Sequence, residues 1–252
     1  MVKAIKITLL ILVCLCLVAF MYAFIKSDFK FSNMTAKLVF DEQYELKDIE
    51  SINIDVTSSD IKIYESSDDK INVKIYSDDK DNIKVNEDEK TLSIVNKQKG
   101  AVCFGFCFGN RKVELYVPKN YLGKFDIHAT SGDIVSSLAT SNDYNIRVTS
   151  GDIKIDNVNS LTGKATSGDI EIERLNSYIN FKTTSGDIDI DIATINKNSS
   201  IKVTSGDVEI NKFSGAYVNA SAKSGDINVS NNDRHAEYEL TITTTSGDIE
   251  IN

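Results

Sequence analysis

The chain has 252 residues, 41% of them apolar, with one proline, no tryptophan and a formal charge of −9. That length admits one elongated domain or two small ones, with enough apolar material for a core. Residues 1–26 hold three lysines and no acid, which leaves −12 on the rest and argues against nucleic acid as a partner.

The first element is apolar. Ile7 to Ile25 are 19 residues without a charge. As a helix they would span roughly 28 Å, close to the hydrocarbon thickness of a bilayer. A cleaved leader would have a shorter apolar run and a small-x-small site after it, which Ala19 and Ala23 do not supply. Cys14 and Cys16 follow the bulky Val13 and Leu15, unlike a lipidation site. Residues 1–26 are therefore expected to be an uncleaved anchor in contact with the lipid bilayer through residues 7–25. Lys3 and Lys6 precede the span, so the positive-inside rule places the bulk of the chain outside the cytoplasm.

Residues 27–47 read as a juxtamembrane linker and 48–252 as one repeat domain. Strand-like segments such as SINIDV, DKINVKIY, TLSIV and KVELYV occupy residues 51–118 and read as early, irregular coils of that domain. The insertion AVCFGFCFGN interrupts them. Phe104, Phe106 and Phe108 share one parity there and Cys103 and Cys107 the other. Two readings stand for the phenylalanines: core filling, or an exposed loop for a lipid or protein partner. In an extended strand the cysteines are about 13 Å apart, too far to bond, whereas a turn at Gly105 permits a disulfide.

The dominant signal follows. The tripeptide Ser-Gly-Asp begins at Ser131, Ser150, Ser167, Ser185, Ser205, Ser224 and Ser246, in steps of 19, 17, 18, 20, 19 and 22 residues. A degenerate copy places Ser59 in the glycine position. A β-branched residue follows each aspartate, and in six copies another lies two places on; the first copy has Ser136 instead. Small or β-branched residues (Ala129, Val148, Ala165, Thr183, Val203, Ala222, Thr244) sit two places before each serine. Period-two alternation on both sides predicts strand, corner, strand, with one face buried. Such a unit cannot bury its apolar face alone, so successive units should stack. The expected fold is an all-β, β-solenoid-like domain of about 18–20 residues per coil, preceded by the one membrane helix. The chain stops directly after the strand DIEI, so the last coil is expected to present an unpaired edge that is either protected by charge or docks another chain.

The repeated TSGDI-x-I unit, the opening SINIDVTSSDIKIYE and the VELYVPK strand before FDIHATSGDI resemble a bacterial β-strand-repeat family of unknown function that carries the label "putative adhesin". The resemblance covers about residues 48–252. It implies a β-solenoid displayed at the cell envelope, linked in some members to envelope stress, and it brings no catalytic residues.

Two readings stand for the repeated aspartates Asp133, Asp152, Asp169, Asp187, Asp207, Asp226 and Asp248. Each caps its own turn, or together they form a calcium-binding column. His128 and His235 occupy no repeated position and have no partner at catalytic spacing. No catalytic residue, cofactor or metal centre is nominated, and the chain is expected not to be an enzyme. The function expected is an adhesin-like envelope module that binds a wall component, peptide or membrane protein. The alternative is a scaffold polymerising end to end.

Overall fold

The computed structural model describes residues 36–46, 49–77, 83–97, 111–230 and 232–252. Among the described residues no helix is long and apolar enough to cross a membrane, and the span expected at 7–25 lies outside them. Ala36–Asn252 form one compact unit. It begins earlier than residue 48, because Lys37–Glu45, in the segment expected to be linker, is a strand (β1).

Each repeat forms an incoming strand, a Ser-Gly-Asp corner and an outgoing strand. The incoming strands stack in parallel along one face. Their order is β6 (Thr91–Asn96), β2 (Ser51–Ser58), β8 (Lys124–Ser131), β10 (Asn142–Ser150), the second halves of β11 (Ile153–Ser167) and β12 (Ile170–Ser185), β14 (Ser199–Ser205), β18 (Tyr238–Ser246) and β16 (Ala216–Ala222). The outgoing strands stack along the opposite face. These are β7 (Lys112–Pro118), β3 (Asp60–Ser66), β9 (Ile134–Ser137), the first halves of β11 and β12, β13 (Ile188–Thr194), β15 (Val208–Ser214), β19 (Ile249–Ile251) and β17 (Ile227–Val229). Among the described residues, nine two-strand layers at the usual strand spacing make a rod about 38 Å long. Antiparallel strands close one end: β5 (Ile83–Asp88) on β6, β4 (Lys70–Ser77) on β7, and β1 on β4.

Two expectations about stacking are corrected. The layers do not follow chain order at either end. At the first end, the layer of β2 and β3 lies between that of β6 and β7 and that of β8 and β9. At the other, the C-terminal layer of β18 and β19 is inserted between the coil of β14 and β15 and the coil of β16 and β17. The edge expected at the C-terminus is therefore paired on both sides. The reason lies in the inward residues. Leu240, Ile242, Ile249 and Ile251 are fully buried, whereas the coil of β16 and β17 offers Ala216, Val218, Ala220 and Ala222 and leaves Ile227 45% exposed. Burying the more apolar coil inside removes more apolar surface from water.

The segments between repeats are not all loops. DNVNSLTG lies within the 15-residue β11, which turns the second edge of the rod while keeping Val158 and Leu161 inward. Alternation holds on both sides of the Ser-Gly-Asp corners and shifts by one residue where β11 and β12 turn the second edge; the Ser136 exception has a partner. Its hydroxyl is fully buried and lies 2.7 Å from the Tyr144 hydroxyl, while the Tyr144 ring stacks on Phe125 at 4.9 Å. Burial pushes the Tyr144 hydroxyl pKa upward, so it stays protonated and able to donate. Tyr144→Phe should lower unfolding free energy by about 1–2 kcal/mol, because it leaves a buried hydroxyl unpaired. Adding Ser136→Ala should recover most of that loss in urea titrations.

Candidate functional site

The corner edge is built from backbone. Gly186 has φ +121°, and a Cβ there would lie 2.1 Å from the Gly168 carbonyl oxygen one layer away. Only glycine permits both that dihedral and that approach. The other corner glycines repeat the arrangement.

The aspartates do not cap their own turns. In each layer the carboxylate Oδ1 accepts the backbone N–H of the aspartate in the next. The ladder runs from Asp60 through Asp133, Asp152, Asp169, Asp187, Asp207 and Asp248 to Asp226, at 2.7–3.2 Å. Parallel stacking puts the next corner's amide directly above the carboxylate, at a distance the aspartate side chain spans. The ladder passes through Asp248 before Asp226, in agreement with the inserted C-terminal layer. Among the described residues no three Asp, Glu, His or Cys side chains converge on a point that could hold a metal. Every Oδ1 of the ladder before its last member, Asp226, is already committed, so millimolar calcium should move the melting temperature by less than about 1 °C relative to chelator. A rise of several degrees would instead assign the column to calcium.

Cys103, Phe104, Phe106, Cys107 and Phe108 lie outside the described residues. The residues flanking that insertion end β6 and begin β7, on the edge where other layers have their corner. His128 is exposed, as its parity predicts, with Nδ1 3.4 Å from an Asp55 carboxylate oxygen.

The outward rows of the two faces differ in sign, a feature visible only once the register is known. On the outgoing face, Lys154, Glu171, Asp189, Glu209 and Glu250 are successive neighbours across five layers. Beside them run Asp156, Glu173 and Asp191. One ion pair, Lys154 to Glu171 at 2.5 Å, relieves the end of the row. Burial, then Asp191 and Glu171, raise the pKa of the Asp189 carboxyl. A shallow depression of about 250 Å³ lies among these side chains. On the incoming face, His128, Arg147, Lys164, Lys182 and Lys202 are successive neighbours. Like charges directly opposite on neighbouring strands are destabilising, so each row carries an energetic cost that the interior alone does not require.

A two-faced stack of parallel strands, turned at recurring Ser-Gly-Asp corners and bearing its variable chemistry on the outside, is the architecture of a β-solenoid-like repeat protein. The chain belongs to the Toastrack DUF4097 family, whose model matches residues 49–252. No curated protein matches it in sequence. Among solved structures, a "putative adhesin" from Bacteroides fragilis NCTC 9343 superposes with a TM-score of 0.51 at 17% identity, covering 85% of this chain and 97% of that one. A "putative adhesin" from Parabacteroides distasonis ATCC 8503 gives 0.47 at 15% identity, covering 86% and 98%. A "putative lipid binding protein" from the same organism gives 0.40 at 16% identity, covering 84% and 96%. At these identities the first superposition speaks for the fold alone.

Proposed function

We propose that this protein is a non-enzymatic, membrane-anchored binding module of the bacterial cell envelope, displayed outside the cytoplasm. Its acidic outgoing face receives a cationic partner such as a basic peptide or the basic segment of a neighbouring envelope protein. The observation that carries this reading is the row Glu171, Asp189, Glu209 and Glu250, held at one-layer spacing on a rigid sheet. An array of like charge on a flat face raises the local concentration of an oppositely charged ligand. The adhesin names carried by structural neighbours agree with a binding role.

End-to-end polymerisation is less favoured by the free end. There Asn232 donates to the Val218 carbonyl and accepts the Val218 N–H, both at 2.8 Å, occupying edge groups that an added strand would need.

Two measurements test the proposal. External protease should degrade the domain in intact cells while sparing a cytoplasmic control; protection until lysis would reverse the topology. A lysine-rich peptide should bind the full-length protein with an affinity that falls steeply between low and physiological salt. Asp189→Asn with Glu209→Gln should weaken it by about fivefold to tenfold, since exposed pairs contribute roughly 0.2–1 kcal/mol each. Binding indifferent to both salt and these substitutions would reject the acidic face as the site.

A further inference from the structure

We propose that the opposite, incoming face is a second binding site, for a linear acidic polysaccharide lying along the rod axis with one carboxylate per sugar. The inference rests on the reading of the chain as a binding module, but not on the acidic face.

Arg147, Lys164, Lys182 and Lys202 are exposed and follow one another at one-layer spacing, about 4.8 Å. Arg147 lies 3.9 Å from Asp126. Among the described residues the three lysines make no ion pair. A parallel row on the same face carries uncharged hydrogen-bonding groups, Asn145, Thr162, Asn180, Ser200 and Thr241, in the same register. A cation and a hydroxyl or amide thus recur together in four successive layers, and the Thr241 layer carries Thr243 in the cation's place. A polymer of uronic acid residues repeats its carboxylate and hydroxyls at about the length of one pyranose ring, close to that spacing. Denser polyanions do not share it.

A separate feature of this face points to a sugar rather than to charge alone. Beside the lysine row lies a hollow of about 350 Å³, lined by Tyr178, Asn180, Asn198, Ser200, Glu239 and Thr241. An aromatic ring flanked by amides and hydroxyls suits a pyranose, which offers an apolar face and a polar rim. Lys197 stands 5.2 Å from the Tyr178 ring centroid and adds a further cation. Among the described residues lining the hollow the one acid, Glu239, accepts hydrogen bonds from Asn219 at 2.8 Å and Thr241 at 3.2 Å on its Oε1. The acidic face does not forbid the ligand. Two sheets packed face to face are about 10 Å apart, so a ligand outside one lies beyond the screening length of about 8 Å from charges outside the other.

The rows of the two faces also match each other in spacing and oppose each other in sign, so a second copy is the rival occupant. It is disfavoured because exposed ion pairs contribute little each, while docking two rigid bodies forfeits the freedom of a whole protein. A flexible polymer can engage in many equivalent registers.

The test is titration of the detergent-solubilised full-length protein with polygalacturonate, inorganic polyphosphate and neutral dextran. The expected result is binding of polygalacturonate in preference to the other two, weakened by salt. Lys164→Gln/Lys182→Gln/Lys202→Gln should lose at least tenfold. Tyr178→Ala should lose several-fold with its salt dependence unchanged. Glu209→Gln, on the far face, should leave this binding intact while weakening the lysine-rich peptide, so failure of one site is read separately from failure of the other. Absent binding, retention by the triple variant, or equal affinity for polyphosphate overturns the proposal. Sedimentation revealing self-association that the triple variant abolishes, without polygalacturonate binding, overturns it in favour of the second copy.

Discussion

Gly186→Ala should lower the unfolding free energy by about 3 kcal/mol or more. A non-glycine residue at φ +121° stores roughly 1–3 kcal/mol of backbone strain. The added Cβ would also sit 2.1 Å from the Gly168 carbonyl oxygen, so the two layers must separate. Overpacking of that kind costs about 1–3 kcal/mol more. The neighbouring atom is backbone in a corner held by the Gly168 N–H to Ser185 carbonyl bond and by the Asp187 N–H to Asp169 carboxylate bond, so it cannot swing aside. For a domain of this size the loss corresponds to a fall in Tm of roughly 10 °C. Thr184→Ala, exposed beside the same corner, is the control and should stay within about 0.5 kcal/mol. Equal melting temperatures for the two variants would show that the layers are not in contact at this corner.

Ile249→Ala and Ile227→Ala should differ sharply, although both residues follow an Asp in the same repeat motif. Ile249 is 1% exposed, within β19 and between β15 and β17. Its truncation leaves a cavity and should cost about 2–5 kcal/mol. Ile227 is 45% exposed on the outermost layer, and its truncation should cost under about 1 kcal/mol. If the coils stacked in chain order, the ranking would invert, because the C-terminal coil would then be the exposed one. Chemical denaturation of the two variants decides it, with an unchanged m-value as the check that the comparison is of stability.

Most of the fold was legible because its rules are local. Alternation of Ile153, Ile155, Ile170 and Ile172 with charged neighbours sets the inward face of each strand, and all four are buried. The repeated glycine announced a corner because no other residue tolerates that dihedral. Ser136 looked like a lapse in the pattern, and its explanation required a partner, Tyr144, that joins it only when the layers stack. The aspartates were recognised as a column but given the wrong bond. A carboxylate's partner in the next layer cannot be inferred within one repeat.

The site was less legible, for the same reason. The sequence contains Glu171, Asp189 and Glu209 in one class of position and Lys164, Lys182 and Lys202 in another. Net charge averages the two and hides their segregation. Only register makes them rows, and only the turn at Ser-Gly-Asp sends the positions before it to one face and those after it to the other. The sequence by itself determined the layer: its two strands, its corner and its inward residues, all fixed by contacts within some twenty residues and by the chemistry of glycine and β-branched side chains. The tertiary structure decided the order of the layers, including the insertion of the C-terminal coil ahead of the alanine-lined one. That choice compares the apolar area buried by alternative stackings, a sum over the whole rod that no single repeat contains.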